Sequence, residues 1–148
     1  MILGFITSII VGILTGIIAS KLAVIWDHHD REKRLKAEFA KLEGEWDHLN
    51  KARNKIEGAT TKIVYERDGK LRIASTTQYG KWNGRIVMDP AMPEYGGGMF
   101  QYEGKDESGL LQIIVKSPDL IYVAPATITH ETQKTNFYIW HRRKQGDA

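Results

Sequence analysis

The sequence predicts a mainly β protein: a small antiparallel barrel of about eight strands, preceded by one transmembrane helix and a helical connector. Three observations predict this class. The chain opens with a long run that carries no charge, a stretch of helix formers without Gly or Pro follows, and short apolar segments separated by turn signals fill the remainder. The predicted boundaries are residues 1–26 for the membrane helix, 27–43 for the connector and 44–148 for the barrel.

The first segment has the composition of a membrane span. Residues 2–20 contain no charged side chain, and the apolar run reaches Trp26 with Lys21 as its single interruption. About 25 helical residues rise roughly 37 Å, enough for a hydrocarbon core of about 30 Å. Because no basic segment precedes the run and no Ala-x-Ala site follows it, a retained helix is favoured over a cleaved signal peptide. The Lys and Arg residues that follow predict a single-pass inner-membrane protein with a cytoplasmic barrel.

Small residues recur at every fourth position of this helix, which places them on one face. They are Gly4, Ser8, Gly12, Gly16 and Ser20. In lipid, such a face lets a second helix approach closely, so that van der Waals packing drives association. The pattern predicts a homo-oligomer assembled through the membrane helices.

Residues 27–42 of the connector are predicted to form a helix that continues into the cytoplasm and ends before Gly44. Its Leu35, Phe39 and Leu42 recur at helical spacing and form a thin apolar stripe. Neighbouring His28 and His29 point about 100° apart on such a helix, so they do not converge on one metal ion.

From Gly44 onward the pattern is one of short strands bounded by turn signals such as Asp68-Gly69 and Asn83-Gly84. Residues 89–98 hold two Pro and three successive Gly and are predicted to form a long loop. A closed eight-stranded barrel hides its edges and can hold one small ligand. Strands are predicted over residues 44–50, 60–67, 70–79, 84–88, 99–104, 110–117, 120–126 and 135–143.

The first and last strands carry a resemblance. Gly44-Glu45-Trp46 resembles the Gly-x-Trp opening of lipocalin-like barrels, and Trp140-His141-Arg142 is similar to their closing strand, where a basic residue packs against that tryptophan. With a membrane anchor in front, the chain resembles the transmembrane β-barrel effectors associated with CD-NTases in CBASS antiphage defence. The resemblance implies a receptor for a cyclic dinucleotide or oligonucleotide that oligomerises and disrupts the membrane. Trp46, Trp140 and Arg142 are expected to close one end of the barrel.

A cyclic dinucleotide needs cations or backbone N–H groups for its phosphates and aromatic faces for its bases. Residues 79–85 mix aromatic, basic and amide groups at a predicted turn, where a barrel mouth would lie. The three glycines 96–98 are predicted to let a lid loop approach the ligand. The candidate ligand-binding residues are Arg72, Tyr79, Lys81, Trp82, Asn83, Arg85, Tyr102, Tyr122 and Tyr138.

Composition and missing motifs exclude several classes of protein. With 21 Lys and Arg against 18 Asp and Glu, the net charge of +3 is too weak for a dedicated DNA or RNA binder. Zero cysteines exclude a disulfide scaffold, a cysteine zinc site and a thiol nucleophile. Because the sequence contains no Walker A loop, nucleophile elbow, His-Glu-x-x-His or EF-hand loop, we expect no enzyme, no cofactor and no metal.

Two alternatives stay open beside the cyclic-nucleotide sensor. One is a membrane-tethered, lipocalin-like carrier of an apolar small ligand. The other is a structural subunit that uses the barrel for protein contacts. The barrel interior separates them, because Arg or Lys lining indicates the sensor, apolar lining the carrier, and a filled core the structural subunit.

Overall fold

The computed structural model of the chain describes residues 2–128, 133–135 and 137–143. It describes side chains for residues 15–126 and 137–143. The chain divides into two compact units, Met1–Arg34 and Leu35–Ala148.

The first unit is helical. Helix α1 runs over Ile2–Phe39, and the part up to Arg34 makes up this unit. The predicted membrane helix and connector belong to one helix, because no Gly or Pro interrupts residues 17–39. In the part of the chain that the structure describes, no helix combines the length and the apolar character that a membrane crossing requires. Large apolar side chains are exposed at Ile17, Ile18, Leu22, Val24, Ile25 and Trp26.

The second unit is a closed antiparallel barrel, as predicted. Its strands are β1 Gly44–Leu49, β2 Lys55–Tyr65, β3 Lys70–Thr77, β4 Gly80–Met88, β5 Tyr95–Tyr102, β6 Ser108–Ser117, β7 Leu120–Ile128, β8 Gln133–Thr135 and β9 Tyr138–Arg142. Each strand from β1 to β7 pairs with the next, and β9 pairs with both β7 and β1, which closes a ring of eight. The ninth described strand, β8, pairs with the end of β7 beyond β9. The single closing strand predicted over residues 135–143 is therefore divided in two.

The interior of the barrel is filled with apolar side chains over most of its length. Strand alternation turns every second residue inward, and the inward positions carry large aliphatic and aromatic groups. Residues less than 2% exposed include Trp46, Ile63, Leu71, Ile73, Ile86, Met88, Leu111, Ile113, Ile121 and Trp140.

One end of the barrel is covered by the segment that leads into β1. The last turn of α1 and the short 3-10 helix Ala40–Leu42 place Leu35, Phe39 and Leu42 in the barrel core, at 7%, 1% and 1% exposure. These are the three residues of the predicted apolar stripe. We call this end the helix-capped end, and we call the opposite end, where β3 turns into β4, the mouth.

Arg142 closes the helix-capped end together with Trp46, as the resemblance implied. The guanidinium carbon of Arg142 lies 4.5 Å from the centroid of the Trp46 ring. The same guanidinium donates hydrogen bonds to the backbone oxygens of Lys41, Glu43 and Pro118 at 2.5, 2.7 and 3.0 Å. The expectation was wrong for Trp140, which lines the mouth, because it is opposite His48 in the β1–β9 register whereas Arg142 is opposite Trp46.

Arg142→Met is expected to lower the free energy of unfolding by about 2 kcal/mol, measured by urea denaturation. Methionine keeps an unbranched side chain but removes the guanidinium from the face of the Trp46 ring and leaves three backbone oxygens without their charged donor. Arg85→Met is the matched control, because it removes an exposed ion pair with Glu66 and should leave the midpoint nearly unchanged. Equal midpoint shifts in the two variants would contradict a role of Arg142 in closing the barrel.

Two predictions about β4 were wrong. Strand β4 begins at Gly80 and not at residue 84, so Asn83-Gly84 is not a turn. The turn consists of Gln78 and Tyr79, where the Thr77 hydroxyl donates to the Gly80 oxygen at 3.0 Å. Strand β4 pairs with β3 on one side and with β5 on the other, and Trp82 is buried. These interactions outweigh the local preference of Asn-Gly for a turn.

The predicted glycine lid was also wrong. Gly96, Gly97 and Gly98 lie within β5 and pair with β4 on one side and β6 on the other. A Cβ atom on Gly98 would lie 1.9 Å from the backbone oxygen of Arg85. Gly98 therefore allows β4 and β5 to approach closely, whereas Gly96 leaves room for neighbouring side chains. The loop before β5 is limited to residues 89–94.

Candidate functional site

An enclosed pocket opens at the mouth of the barrel. Its volume is about 40 Å³, which is room for about one water molecule or a group of that size. Among the described residues that line it, none is Lys, Arg, Asp or Glu. The lining consists of His48, Thr77, Tyr79, Trp82, Phe100, Tyr102, Leu111, Val123, Pro125, Tyr138 and Trp140.

Aromatic rings form a continuous wall around this pocket. The Trp82 ring is stacked near Trp140 with centroids 6.4 Å apart, and it meets Phe100 at 5.2 Å. Phe100 in turn meets Tyr102 edge to face at 5.8 Å. Because Trp82 lies on β4, Phe100 and Tyr102 on β5, and Trp140 on β9, the wall is built by strands and not by a loop.

Three tyrosines form the rim of the pocket. Tyr79 is 55% exposed in the β3–β4 turn, whereas Tyr102 and Tyr138 are partly buried against the core. Burial raises the pKa of both Tyr102 and Tyr138, so their phenols are uncharged at neutral pH. Lys105 lies beside this rim, with its ammonium 5.3 Å from the Tyr102 ring centroid and donating to the Tyr79 backbone oxygen at 2.9 Å.

A buried polar chain lies beneath the wall. His48 is 3% exposed, and its Nε2 lies 2.6 Å from Thr61 Oγ1, which lies 2.8 Å from Ser75 Oγ. Since Ser75 donates to the Thr60 backbone oxygen at 3.0 Å, we assign the donors as His48 Nε2–H to Thr61 and Thr61 to Ser75. Burial lowers the pKa of His48 to about 4 against the opposing effect of Asp47, so the imidazole is neutral.

The indole N–H of Trp140, a residue that lines the pocket, is fully buried and lacks a partner among the described residues. Trp140 is 1% exposed, and among the described residues none accepts a hydrogen bond from its Nε1. Trp46 is equally buried, but its Nε1 donates to the Leu42 backbone oxygen at 3.1 Å. A buried N–H without an acceptor is unfavourable and calls for a specific explanation.

The structure brings four of the predicted ligand residues together at the mouth: Tyr79, Trp82, Tyr102 and Tyr138. The other five lie away from the pocket, because strand alternation turns residues 81, 83 and 85 outward when Trp82 turns inward. They are distributed over the outer wall as Arg72, Lys81, Asn83, Arg85 and Tyr122.

Contacts on the outer wall occupy most of these five side chains. Arg85 pairs with Glu66 at 2.8 Å, and Arg72 lies 4.0 Å from the same carboxylate. Asn83 donates to Glu103 at 2.7 Å. Lys116 lies over the ring of Tyr122 at 5.8 Å. The predicted convergence of cations with the aromatic groups is therefore not observed at the mouth.

Sequence reasoning missed His48, Phe100 and Trp140 as pocket residues. For His48 a signal existed, because it follows Trp46 by two positions on β1 and must share its inward face. The placement of Trp140 depends on the register of β9 against β1 and β7, which the local pattern does not specify.

The small-residue stripe of α1 lies mostly outside the described side chains, which begin at residue 15. Gly4, Ser8 and Gly12 fall in that undescribed part. Gly16 has no heavy atom within 4 Å of an added Cβ, and Ser20 Oγ donates to the Ile17 backbone oxygen at 2.9 Å. Among the described residues, no group of three His, Cys, Asp or Glu could hold a metal ion.

The comparisons with known proteins bear on the fold. A scan against protein-family models finds no match, and a search of curated proteins finds none. The chain is similar to one solved structure, a redesigned β-barrel, with a TM-score of 0.55 and 12% identity over 70% of this chain and 93% of that one. The likeness shows the fold alone. It supports the assignment of a closed antiparallel β-barrel.

Proposed function

We propose that this protein is a membrane-tethered barrel that binds a small, uncharged aromatic ligand at its mouth. The observation that carries the proposal is the enclosed pocket with an aromatic wall, in which none of the lining residues that the structure describes is Lys, Arg, Asp or Glu. Apolar pockets that contain a few polar groups at fixed positions are typical of small-molecule sites. Of the three interpretations of the sequence, this is the lipocalin-like carrier.

The size of the pocket limits what enters it. About 40 Å³ admits a small substituent and not a whole nucleoside, so the body of the ligand would lie between the rim tyrosines. Tyr79, Tyr102 and Tyr138 offer ring faces and edges for such a planar group. The neutral His48 contributes no charge that would attract an anion.

A cyclic dinucleotide remains the second candidate, and Lys105 is the observation that favours it. Its ammonium lies beside the aromatic rim, where it could pair with a phosphate while a base stacks on a tyrosine. This candidate agrees with the resemblance to CBASS effectors. In that case, binding of the ligand would cause the protein to oligomerise and to disrupt the membrane. Its phosphates would lie outside the pocket, because the described part of the lining contains no Lys or Arg.

The membrane tether in this proposal rests on residues 2–20, which contain no charge. The exposed apolar side chains at Ile17, Ile18 and Leu22 lie in the same helix. We expect the full chain to resist extraction from cell membranes by alkaline carbonate and to leave them in detergent. Release by carbonate alone would contradict a spanning helix. Reduced cross-linking of Gly16→Leu, compared with the wild type, would support self-association through the small-residue face.

Ligand titration tests the binding proposal. The full chain is reconstituted in phospholipid nanodiscs, with empty nanodiscs as the blank, and titrated calorimetrically with neutral aromatic compounds and with cyclic dinucleotides. We expect heat from acetophenone, and we expect Tyr79→Ala to weaken that binding by about tenfold. Tyr79 is half exposed, so its truncation should leave the barrel folded.

Tyr122→Ala is the matched control. Because Tyr122 lies on the outer wall, its substitution is expected to leave the affinity for acetophenone unchanged. Binding of a cyclic dinucleotide that depends on Lys105, with no response to neutral aromatics, would favour the sensor over the carrier. No binding of either class would contradict both and leave the structural subunit.

A further inference from the structure

The two fully buried tryptophans of the core differ in one respect. Trp46 donates its indole N–H to Leu42 at the helix-capped end, whereas Trp140 lines the mouth pocket and finds no acceptor among the described residues. Both are at most 1% exposed, so water at the molecular surface does not satisfy either group.

From this difference we infer that the Trp140 indole N–H selects ligands that place an uncharged hydrogen-bond acceptor, such as a carbonyl oxygen, in the mouth pocket. The inference rests on the proposed function and specifies the chemistry of its ligand. A ligand acceptor would pair a buried donor that has no acceptor among the described residues, so binding gains a hydrogen bond. An aromatic aldehyde, ketone or amide fits this description.

The pocket also argues for an uncharged acceptor. A carboxylate would lose its hydration at this site, where none of the described lining residues is Lys or Arg and His48 is neutral. The volume of about 40 Å³ accommodates a carbonyl-sized group while an attached ring remains between Tyr79 and Tyr138. Size, charge and the unpaired donor therefore lead to the same ligand class.

Acetophenone and α-methylstyrene provide the test, because they have nearly the same shape and differ by C=O against C=CH₂. The styrene is the more apolar compound and would bind better in a site that recognises only shape and hydrophobicity. We expect the full chain in nanodiscs to bind acetophenone about tenfold more tightly, the factor that one net hydrogen bond provides.

Two variants test whether the Trp140 indole N–H causes the preference for acetophenone. Trp140→Phe should abolish this preference while keeping an aromatic ring in the wall. Trp46→Phe removes an indole N–H at the opposite end and should retain the preference. In wild-type protein carrying ¹⁵N-labelled indoles, acetophenone should shift the Trp140 Nε1–H resonance downfield and leave that of Trp46 unchanged, a readout that does not depend on the variants folding.

Equal affinity for the two probes, or a preference that survives in Trp140→Phe, overturns the inference and leaves the proposed function standing. So does an unshifted Trp140 resonance at saturating acetophenone. If neither probe binds, the proposed function fails and the inference fails with it.

Discussion

Gly98→Ala is expected to destabilise the barrel by about 4 kcal/mol or more, or to prevent folding. An added Cβ would lie 1.9 Å from the Arg85 oxygen, 2.8 Å from the Arg85 carbonyl carbon and 2.9 Å from the Ile86 Cα. All three atoms belong to the backbone of β4, which pairs with β5 at this position. Relief of the clash therefore requires the two strands to separate, with loss of ladder hydrogen bonds and of core packing.

Gly97→Ala is the control for this prediction. An added Cβ there would lie 3.9 Å from the Leu111 oxygen, which is ordinary contact, and we expect a change within about 0.5 kcal/mol. Urea denaturation followed by tryptophan fluorescence measures both variants. Similar midpoints for the two variants would show that β4 and β5 are not as closely spaced at Gly98 as the structure has them.

Acidification from pH 6.5 to 4 is expected to remove about 3 kcal/mol of stability through His48. Burial lowers the pKa of His48 in the folded state to about 4 from its ordinary value of 6.5. The unfolded chain therefore takes up a proton in this window while the folded chain does not, so unfolding is favoured as the pH falls. The contribution is complete above pH 6.5 and is lost as the pH approaches 4.

His48→Gln isolates this effect, because glutamine keeps a donor toward Thr61 but does not titrate. Urea denaturation of both proteins between pH 4.5 and 7 should give a steep pH dependence for the wild type and a shallow one for the variant. The lowered pKa values of Asp47 and Glu66 affect stability mainly at lower pH and act in both proteins. Parallel pH profiles would contradict a buried, neutral His48.

Sequence reasoning was most successful where local signals agreed with the tertiary arrangement. The change of pattern at Gly44 and the turn at Asp68-Gly69 predicted β1 and the β2–β3 hairpin correctly. It was least successful at residues 83–84 and 96–98, where Gly is a turn signal in the sequence but lies within a strand in the barrel. Glycine is favoured both in turns and at positions within a strand where another backbone comes close. The sequence alone does not distinguish these two cases, because the difference depends on which strand lies next to the glycine.

The sequence by itself determined the class of the protein: an apolar, charge-free N-terminal segment, an amphipathic connector and an antiparallel barrel. It also identified Tyr79, Trp82, Tyr102 and Tyr138 as candidate ligand residues, since aromatic side chains near predicted strand ends can be recognised locally.

Only the tertiary structure decided which side chains meet at the mouth. Arg72 and Arg85 lie on the outer wall, while His48 and Trp140 line the pocket. The physical reason is that a shift of one residue in strand register exchanges the inner and outer faces. The closure of β9 between β7 and β1 sets that register through contacts far apart in the chain, and it leaves the Trp140 indole without an acceptor among the described residues.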